Sequence, residues 1–413
     1  MPRMKTKHKE WDMDVTGRIK ELAQEFEPYI IEKRRYFHRN PELANQEYNT
    51  QNVICQELDD MGIPYERVAG TGVLATIRGT AEGAYDAEGN PAHRIGLRAD
   101  MDALPVLERT GAPYASQTEG VMHACGHDTH VAMLLGTARI LCELRDQLKG
   151  EVRLMFQPAE EVAQGARKMI AAGALEGLDA LYGTHIWSEV DAGTISCAPG
   201  QRMAYTDWFR IDISGASAHG SMPHKGVDAI VVAAELVVAL QVLVSRDVSP
   251  FEPMVVTVGE IHGGTARNIM AGTAYLTGTT RTWTAKSRAE MPGRIEKLVG
   301  RIASGLGAEA TLSWQEGHAG LNNNPECAER ARRGVVKLFG EEAVSDYEGT
   351  LAGEDFSEYL KLMDGVFVFL GGRNPEIGAT YPQHSCYYTI DESVLKNGSA
   401  LAAQYAIDYL SEA

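Results

Sequence analysis

Residues 128–184 read DTHVAMLLGTARILCELRDQLKGEVRLMFQPAEEVAQGARKMIAAGALEGLDALYGT, and the fold class follows from this segment. Apolar residues at helical spacing predict helices over 128–148 and 161–172. Short apolar runs predict strands over 152–156 and 180–184. Helices that alternate with strands favour a mixed or parallel sheet covered by helices on both faces. Such sheets bind ligands in the loops at the carboxyl ends of their strands.

The same alternation continues outside this segment. The patterns predict helices over 16–37, 47–61, 325–339 and 391–410, and strands over 72–78, 94–98 and 365–370. A chain of 413 residues is longer than one hydrophobic core usually supports, so two domains are expected.

The pattern changes near Pro199 and Gly200, where a second domain is predicted to begin. From there to residue 316 the predicted order is strand, helix, strand, strand, helix, strand, which is the order of a split βαβ or ferredoxin-like sandwich. After Gly317 the elements of the first domain resume. We therefore expect an α/β fold in which a mixed-sheet domain, residues 14–199 and 317–413, carries an inserted α+β domain, residues 200–316.

Composition and charge exclude several classes of protein. Hydrophobic residues make up 44% and charged residues 23% of the chain, which is ordinary for a globular protein and argues against disorder. The net charge of -17 would repel a phosphate backbone, so nucleic acid is excluded as a partner. Residues 1–10 lack the apolar stretch of a signal peptide, and we find no apolar run long enough to span a bilayer. Six scattered cysteines do not resemble a disulfide scaffold, and the expected compartment is the cytoplasm.

Two short segments contain most of the candidate catalytic chemistry. Cys125 and His127 lie two residues apart just before a predicted helix, whose dipole would stabilise a thiolate, so both could bind one metal ion. A plain turn before a helix is the alternative. Glu160 and Glu161 follow the strand 152–156, where Glu161 could bind a cation while Glu160 takes a proton from water. The alternative is that both carboxylates only favour the start of a helix.

Three further residues are weaker candidates when each is taken alone. His185 ends the strand 180–184, and His384 lies in the segment Tyr381-Pro382-Gln383-His384-Ser385. A single histidine of this kind could equally be structural. Asp102 follows the strand 94–98, where its carboxylate could orient a metal-binding histidine or belong to a solvated turn. Their shared position after successive strands favours one common site.

Several motifs occur in a fixed order along the chain. They are Arg34 to Leu43, Arg98 to Pro105, His123 to Asp128, Gln157 to Glu161, Gly183-Thr184-His185 and Gly353-Glu354-Asp355-Phe356. Together they resemble the amidohydrolase branch of the aminoacylase and carboxypeptidase-type metallopeptidases, which includes hippurate hydrolases, auxin-conjugate hydrolases and N-acetyl-diaminopimelate deacetylases. The resemblance covers nearly the whole chain.

The resemblance implies a metallopeptidase catalytic domain with an inserted lid or dimerisation domain. It implies that two divalent ions are held by Cys125, His127, Glu161, His185 and His384, with Cys125 as the bridge. It also implies that Glu160 is the catalytic base and that Asp102 orients a ligand. In the insert it implies that His219 stabilises the oxyanion. Substrate contacts are implied for Asn268, Arg281, His224 and Gly353.

Three departures from the family pattern leave the ligands intact and put only the accepted substrate in doubt. They are Gly220-Ser221 after His219, Ile269-Met270-Ala271 after Asn268, and Ser188 with Asp191 after His185.

The predicted activity is metal-dependent hydrolysis of the amide bond of N-acyl amino acids or small peptide-like conjugates, by a homodimer or a higher homo-oligomer. Thiolate and imidazole ligands favour zinc, while carboxylates leave manganese, cobalt or nickel open. Three alternatives stay open. They are a thiol hydrolase with Cys125 as nucleophile and His127 as base, a non-catalytic protein that binds acyl amino acids, and a scaffold that uses the insert only for dimerisation.

Overall fold

The structure is a computed structural model that describes residues 15–412. Contacts within the chain divide these residues into two compact units. The first unit contains residues 15–198, 324–347 and 363–412, and the second contains residues 199–323 and 348–362. Residues 1–10, in which the sequence predicts no signal peptide, lie outside the described residues.

Helices and strands alternate along most of the described chain. The α-helices are α1 Val15–Arg39, α2 Tyr48–Asp60, α3 His127–Glu143, α4 Gly165–Ala171, α5 Ala229–Val242, α6 Ala285–Gly305, α7 Pro325–Phe339, α8 Phe356–Leu360 and α9 Leu395–Glu412. The β-strands are β1 Tyr65–Val68, β2 Gly72–Arg78, β3 Arg94–Asp100, β4 Glu151–Gln157, β5 Ala180–Asp191, β6 Ile195–Ser196, β7 Gly200–Met203, β8 Tyr205–Ser214, β9 Ala218–His219, β10 Met254–Gly263, β11 Ile269–Met270, β12 Thr273–Thr282, β13 Glu309–Glu316, β14 Leu321–Asn323 and β15 Gly365–Arg373.

A mixed seven-stranded sheet forms the centre of the first unit, as the sequence predicts. Its strand order is β1-β2-β4-β3-β5-β15-β6. The middle strands β4, β3, β5 and β15 are parallel, while β1, β2 and β6 pair antiparallel at the edges. Arg98 of β3 pairs with Met155 of β4 and Gly183 of β5, so these strands end at one edge of the sheet.

Helices α1, α3 and α9 pack against one another, and α7 packs against α9 and β15. Helix α3 is buried on nearly every side, because all but one of its residues from His127 to Leu141 are buried. A helix enclosed in this way belongs to the protein core, so α3 fixes the loop before it. That loop contains Cys125.

The sequence misplaces three elements of the first unit. Helix α4 begins at Gly165 instead of residue 161, because Ala159 and Ala163 adopt left-handed φ angles of 56° and 58° that interrupt a helix. Strand β5 continues to Asp191, so His185 lies inside the strand and not at its end. Strand β1 was not predicted, because it is a short, mostly exposed edge strand without an apolar run.

The second unit has its own core and a four-stranded antiparallel sheet in the order β10-β12-β8-β13. Helices α5 and α6 pack on this sheet and share one apolar cluster with it, in which Ile211, Leu236 and Ile295 are fully buried. The strand and helix order is that of the predicted split βαβ sandwich. Residues up to Asn323 and the segment 348–362 group with this unit, whereas the predicted insert ended at residue 316. The domain boundaries and the lid role stay predictions.

One expectation about apolar runs is wrong. The helical stretch Ala229–Asp247 is long and apolar enough to cross a membrane by length and composition alone. Only one side of this helix is covered. Val232, Leu236 and Leu240 are buried in the core of the second unit, while Val238 is 67% exposed. The stretch is therefore a core helix with an uncovered apolar side.

Candidate metal centre

The five predicted metal ligands all lie in the first unit and come together from four separate segments of the chain. The ligand atoms of Cys125, His127 and His185 lie within 4.8 Å of one another, and so do those of Cys125, Glu161 and His384. A third group within the same limit joins Glu160 to His127 and Glu161. The two ligand groups therefore share Cys125, which gives the constellation the form of a two-ion site.

Individual distances show how compact this cluster is. Cys125 Sγ lies 3.4 Å from His185 Nε2, and Glu161 Oε1 lies 3.5 Å from His384 Nε2. His127 Nε2 lies 3.9 Å from Glu161 Oε1. Cys125, His127 and His185 are buried, and His384 is the most exposed member of the set.

Gly126 allows Cys125 and His127 to reach the same place. Its φ is 99°, in the left-handed region, and a Cβ at this position would lie 2.4 Å from Ile186 Cγ2. Any other residue would therefore strain the backbone and collide with β5. The turn brings the Cys125 thiol and the His127 imidazole into one group of ligand atoms. The alternative, a plain turn before a helix, does not explain this clustering.

Two atoms of the cluster fit a metal and little else. His127 Nε2 and Glu161 Oε1 are buried and have no hydrogen-bond partner among the described residues. Burying a polar atom without a partner costs about 1–3 kcal/mol, so such atoms require an explanation. Lone pairs of sulfur, nitrogen and oxygen that converge in this way suit a borderline-soft divalent cation.

Hydrogen bonds set the tautomers of the two buried histidine ligands. His127 Nδ1 lies 2.9 Å from the carbonyl oxygen of Asp102, and His185 Nδ1 lies 2.6 Å from the carbonyl oxygen of Ile186. A carbonyl only accepts, so each Nδ1 carries the proton and donates it. Each Nε2 lone pair is then available to a cation, which is the usual arrangement around a metal.

The surroundings of Cys125 and His384 raise the pKa values of both side chains. Burial raises the pKa of Cys125, and the negative charge of Glu161 raises it further, despite the opposing effect of His127. The neighbouring Cys125 and Glu161 side chains raise the pKa of His384 to about 10. A cation that binds this cluster would displace the protons that these groups hold.

The carboxylate of Asp102 fixes the turn that contains the two glutamates. Its Oδ1 accepts a hydrogen bond from the backbone N–H of Glu160 and its Oδ2 accepts one from the N–H of Glu161, both at 3.0 Å. The same residue holds His127 through its carbonyl oxygen. Glu160 and Glu161 precede α4, so favourable placement at a helix start does not account for them.

Sequence reasoning missed a buried pair that supports β5. His130 Nε2 accepts a hydrogen bond from the N–H of Ile186 at 2.9 Å, so its Nδ1 carries the proton and donates to Asp100 Oδ1 at 2.5 Å. Arg98 donates to the other oxygen of Asp100. The available signal was that His130 lies three residues after His127, on the same side of α3.

The remaining predicted residues lie in the second unit, where most are surface residues. His219 is exposed in β9, His224 lies in the short 3₁₀ turn Pro223–Lys225, and Asn268 accepts a hydrogen bond from Gly220 through its carbonyl oxygen at 2.9 Å. Arg281 on β12 donates from Nη1 to Thr279 Oγ1 at 2.5 Å and to the carbonyl oxygen of Thr280 at 3.0 Å.

Gly353 lies at a close approach within the second unit. A Cβ at this position would lie 2.6 Å from Thr206 Oγ1 and 3.1 Å from His318 Cδ2. The structure thus explains why this position requires glycine, and the predicted substrate contacts stay predictions.

Comparison with known proteins relates the whole arrangement to one family. A sequence model of the peptidase family M20/M25/M40 matches residues 96–408. Thermostable carboxypeptidase 2 of Saccharolobus solfataricus is 38% identical over 403 residues, covering 96% of this chain and 99% of that protein. The N-acetyl-L-cysteine deacetylase of Bacillus subtilis is 40% identical over 377 residues, covering 90% of this chain and 86% of that protein.

A solved structure shows the same fold. A Bacillus subtilis protein described as a dinuclear metal-binding peptidase of the M20 family has a TM-score of 0.81 and 34% sequence identity to this chain. The likeness covers 94% of this chain and 99% of the Bacillus subtilis chain. The similarity in sequence and the similarity in structure both extend over the two units.

Proposed function

Because the chain belongs to the peptidase family M20/M25/M40, we propose that it hydrolyses the amide bond of N-acyl amino acids with two divalent metal ions. The resemblance predicted from the motifs is thereby confirmed, and so is the class of enzyme, a hydrolase of C–N bonds. The observation that carries the proposal is the convergence of five ligand side chains, two of which bury an atom that has no hydrogen-bond partner within residues 15–412. The predicted α/β mixed-sheet fold is confirmed as well.

We assign the ligands from the two groups that share Cys125. His127 and His185 would hold one ion, and Glu161 and His384 would hold the other. Cys125 would bridge them as a thiolate. The sulfur and the three imidazoles favour zinc, which is our proposed metal, with manganese, cobalt or nickel as the alternatives.

Two bound divalent ions would supply Lewis acidity, lowering the pKa of a water molecule and polarising the scissile carbonyl. Glu160 would accept the proton of that water and return it to the leaving amine, a role worth about 10²–10⁴ in rate. Glu160 is a buried residue, and the carboxylate of Asp102 holds its backbone N–H, so its backbone position is set before substrate binds. The products would be a carboxylic acid and a free amino acid.

Three residues of the second unit are our proposed contacts to substrate. The N–H of Ser221 donates to His219 Nδ1 at 3.2 Å, which leaves the His219 proton on Nε2, where an oxyanion could accept it. Arg281 contacts Thr279 and Thr280 and forms no ion pair within the described part of the chain. Its guanidinium suits the α-carboxylate of an amino acid. Asn268 is the third contact, and His224 and Gly353 would shape the surrounding loops.

We also propose that the protein is a homodimer. The outer side of α5 presents Val231, Val238 and Val242, which are 49%, 67% and 47% exposed, and the nearby Phe251 is 97% exposed. Strand β10 is an edge of its sheet, and its residues from Gly259 to Gly263 are exposed. A second copy that paired with this edge would cover the apolar side of α5. The cytoplasm stays our proposed compartment.

A substrate panel tests the proposed activity. The protein is stripped with a chelator, reloaded with Zn²⁺, Mn²⁺, Co²⁺ or Ni²⁺, and offered N-acetyl, N-benzoyl and longer N-acyl amino acids. We expect release of the free amino acid only after reloading. Activity that survives the chelator and is lost on alkylation of Cys125 would support the thiol hydrolase instead. Binding without turnover for every metal and substrate would support the non-catalytic alternative.

A second candidate is suggested by the relative named a carboxypeptidase. Small peptides with a free carboxyl terminus resemble N-acyl amino acids, because both have an amide bond next to an amino acid carboxylate. Dipeptides therefore belong in the same panel, and their kcat/KM relative to N-acetyl amino acids decides between the two substrate classes.

A further inference from the structure

We propose that Glu47 is a positioning residue, whose buried carboxylate holds the turn that contains Glu160 and Glu161. The proposal rests on the proposed function, because it concerns the base and one ligand of that site. Glu47 lies more than one hundred positions before the turn, and it belongs to none of the candidate groups of metal ligands within residues 15–412.

The carboxylate of Glu47 makes two hydrogen bonds inside the first unit. Its Oε1 accepts a hydrogen bond from the backbone N–H of Ala159 at 2.9 Å, and its Oε2 accepts one from the hydroxyl of Thr71 at 2.5 Å. Glu47 has no exposed surface, and Ala159 and Thr71 are buried as well. A buried carboxylate with two donors is a strong and directional restraint on the atoms that donate to it.

The position of Glu47 just before α2 suggests that it caps this helix, but another residue does so. Glu47 precedes α2 directly, where a carboxylate would normally accept hydrogen bonds from the first N–H groups of the helix. Here Glu42 does so, accepting from the N–H of Asn49 at 2.9 Å and from the N–H of Thr50 at 2.8 Å. Glu47 makes no capping hydrogen bond, and its carboxylate instead reaches the turn after β4.

The turn needs such a restraint because its backbone is strained. Ala159 has a φ of 56°, which residues with a Cβ rarely adopt without support from their surroundings. Three consecutive N–H groups, those of Ala159, Glu160 and Glu161, are held by the carboxylates of Glu47 and Asp102. Without Glu47 the buried N–H of Ala159 would lose its acceptor, and the turn could relax toward an ordinary φ.

The restraint requires an acceptor and not a charge. Burial raises the pKa of Glu47, and the hydrogen bond from Thr71 only partly opposes this. A glutamine has the same length, and its oxygen could accept from Ala159 while its NH₂ group donates to the Thr71 hydroxyl. An alanine offers no acceptor, and an aspartate is one methylene too short to reach both donors.

Four variants of the metal-loaded, full-length enzyme test the proposal: Glu47→Ala, Glu47→Asp, Glu47→Gln and Glu42→Ala. We expect Glu47→Ala and Glu47→Asp to lower kcat by about 10–100-fold with KM within about twofold, because a small displacement of a catalytic group reduces turnover. We expect Glu47→Gln to restore kcat to within about threefold of the wild type. Glu42→Ala is the matched control, which weakens the cap of α2 and lowers the melting temperature without lowering kcat.

A second readout does not depend on turnover. Glu161 is on the same turn and is a proposed ligand of one of the two ions. We therefore expect Glu47→Ala and Glu47→Asp to bind that Zn²⁺ ion about 10–100-fold more weakly in a chelator competition, and Glu47→Gln to bind it normally. The proposal would be overturned if Glu47→Asp had the kcat and the Zn²⁺ affinity of the wild type. It would also be overturned if Glu47→Gln lost as much kcat and Zn²⁺ affinity as Glu47→Asp. If Glu47→Ala does not fold, the aspartate and glutamine variants decide. A wild type that hydrolyses nothing contradicts the proposed function instead.

Discussion

Asp102 accepts a hydrogen bond from the backbone N–H of Glu160 at 3.0 Å, although the two residues lie 58 positions apart. The other carboxylate oxygen binds the next N–H, that of Glu161, and the carbonyl oxygen of Asp102 binds His127 Nδ1. One residue just after β3 thus fixes the backbone of the proposed base and of one proposed ligand, and the ring of a second ligand. A carboxylate can accept a hydrogen bond from each of the two N–H groups, whereas the amide of an asparagine has only one oxygen that accepts.

Asp102→Asn should therefore lower kcat strongly while the protein remains folded. The amide of asparagine would direct an NH₂ group at one of the two backbone N–H groups, and the turn would shift. We expect kcat to fall by about 10–100-fold and one ion to bind more weakly. Steady-state kinetics and metal analysis check this. Normal kcat in the asparagine variant would show that the turn does not depend on this carboxylate.

Glu160→Gln should separate chemistry from metal binding. Glutamine keeps the size of the side chain and removes the basic oxygen, so we expect both ions to stay bound while kcat falls by about 10²–10⁴-fold. Glu161→Gln is the matched control, and it should lose metal as well as activity. If Glu160→Gln turned over at close to the wild-type rate, another group would have to accept the proton.

Much of the fold follows from local sequence signals. The predicted bounds of helix α7 agree with the observed ones. In the structure the side chain of Asn324 caps the helix, Pro325 occupies the first turn and Gly340 follows the last turn, which are local signals that the sequence contains. The sequence predicts a start for α4 that is too early, because the tertiary hydrogen bond from the N–H of Ala159, whose φ is left-handed, to Glu47 leaves no sequence signal.

The candidate site divides in the same way. Strand order brings most of the site to one edge of the sheet, because Asp102, Glu160, Glu161 and His384 follow strands. His185 lies within β5, Cys125 lies just before α3, and His127 begins α3. His130 and Glu47 accept hydrogen bonds from backbone N–H groups far away in the chain, and Asp100 accepts hydrogen bonds from the side chains of His130 and Arg98. A backbone donor has no residue identity, so no motif could predict the contacts that His130 and Glu47 make with the backbone.

Stability toward acid should depend on Glu57, which joins α2 to α1. Burial raises the pKa of Glu57, but hydrogen bonds from Lys33 and Tyr29 outweigh this effect and leave the pKa below its ordinary value of 4.5. The stabilisation is therefore complete above about pH 4.5 and is lost as the pH falls through the lower folded value.

Glu57→Gln in the metal-free protein tests this assignment by urea unfolding. We expect the variant to be less stable than the wild type by about 1–3 kcal/mol at pH 7, because charged hydrogen bonds are lost. The difference should shrink as the pH falls below 4.5, where the wild-type carboxylate takes up a proton. An equal difference at pH 7 and pH 3 would contradict the role of the charge.

The proposed dimer depends on the uncovered side of α5. Val238→Glu places two like charges close together at a two-fold interface, so we expect the dimer to dissociate at least about 100-fold more readily. Sedimentation over a range of concentrations measures this. Ser304→Glu, at an exposed position of α6, adds the same charge elsewhere and should leave the dimer intact. A dimer unaffected by Val238→Glu would exclude this side of α5 as the interface.

The proposed two-metal site is tested most directly by the metal content of the purified, Zn²⁺-loaded protein alongside Cys125→Ala, measured together with hydrolysis of an N-acyl amino acid. We predict two ions per chain in the wild type. The variant should hold at most one ion and should lose hydrolysis, because Cys125 belongs to both ligand groups. A wild type that holds no tight metal, or a Cys125→Ala variant that keeps two ions and full activity, would contradict the proposed site.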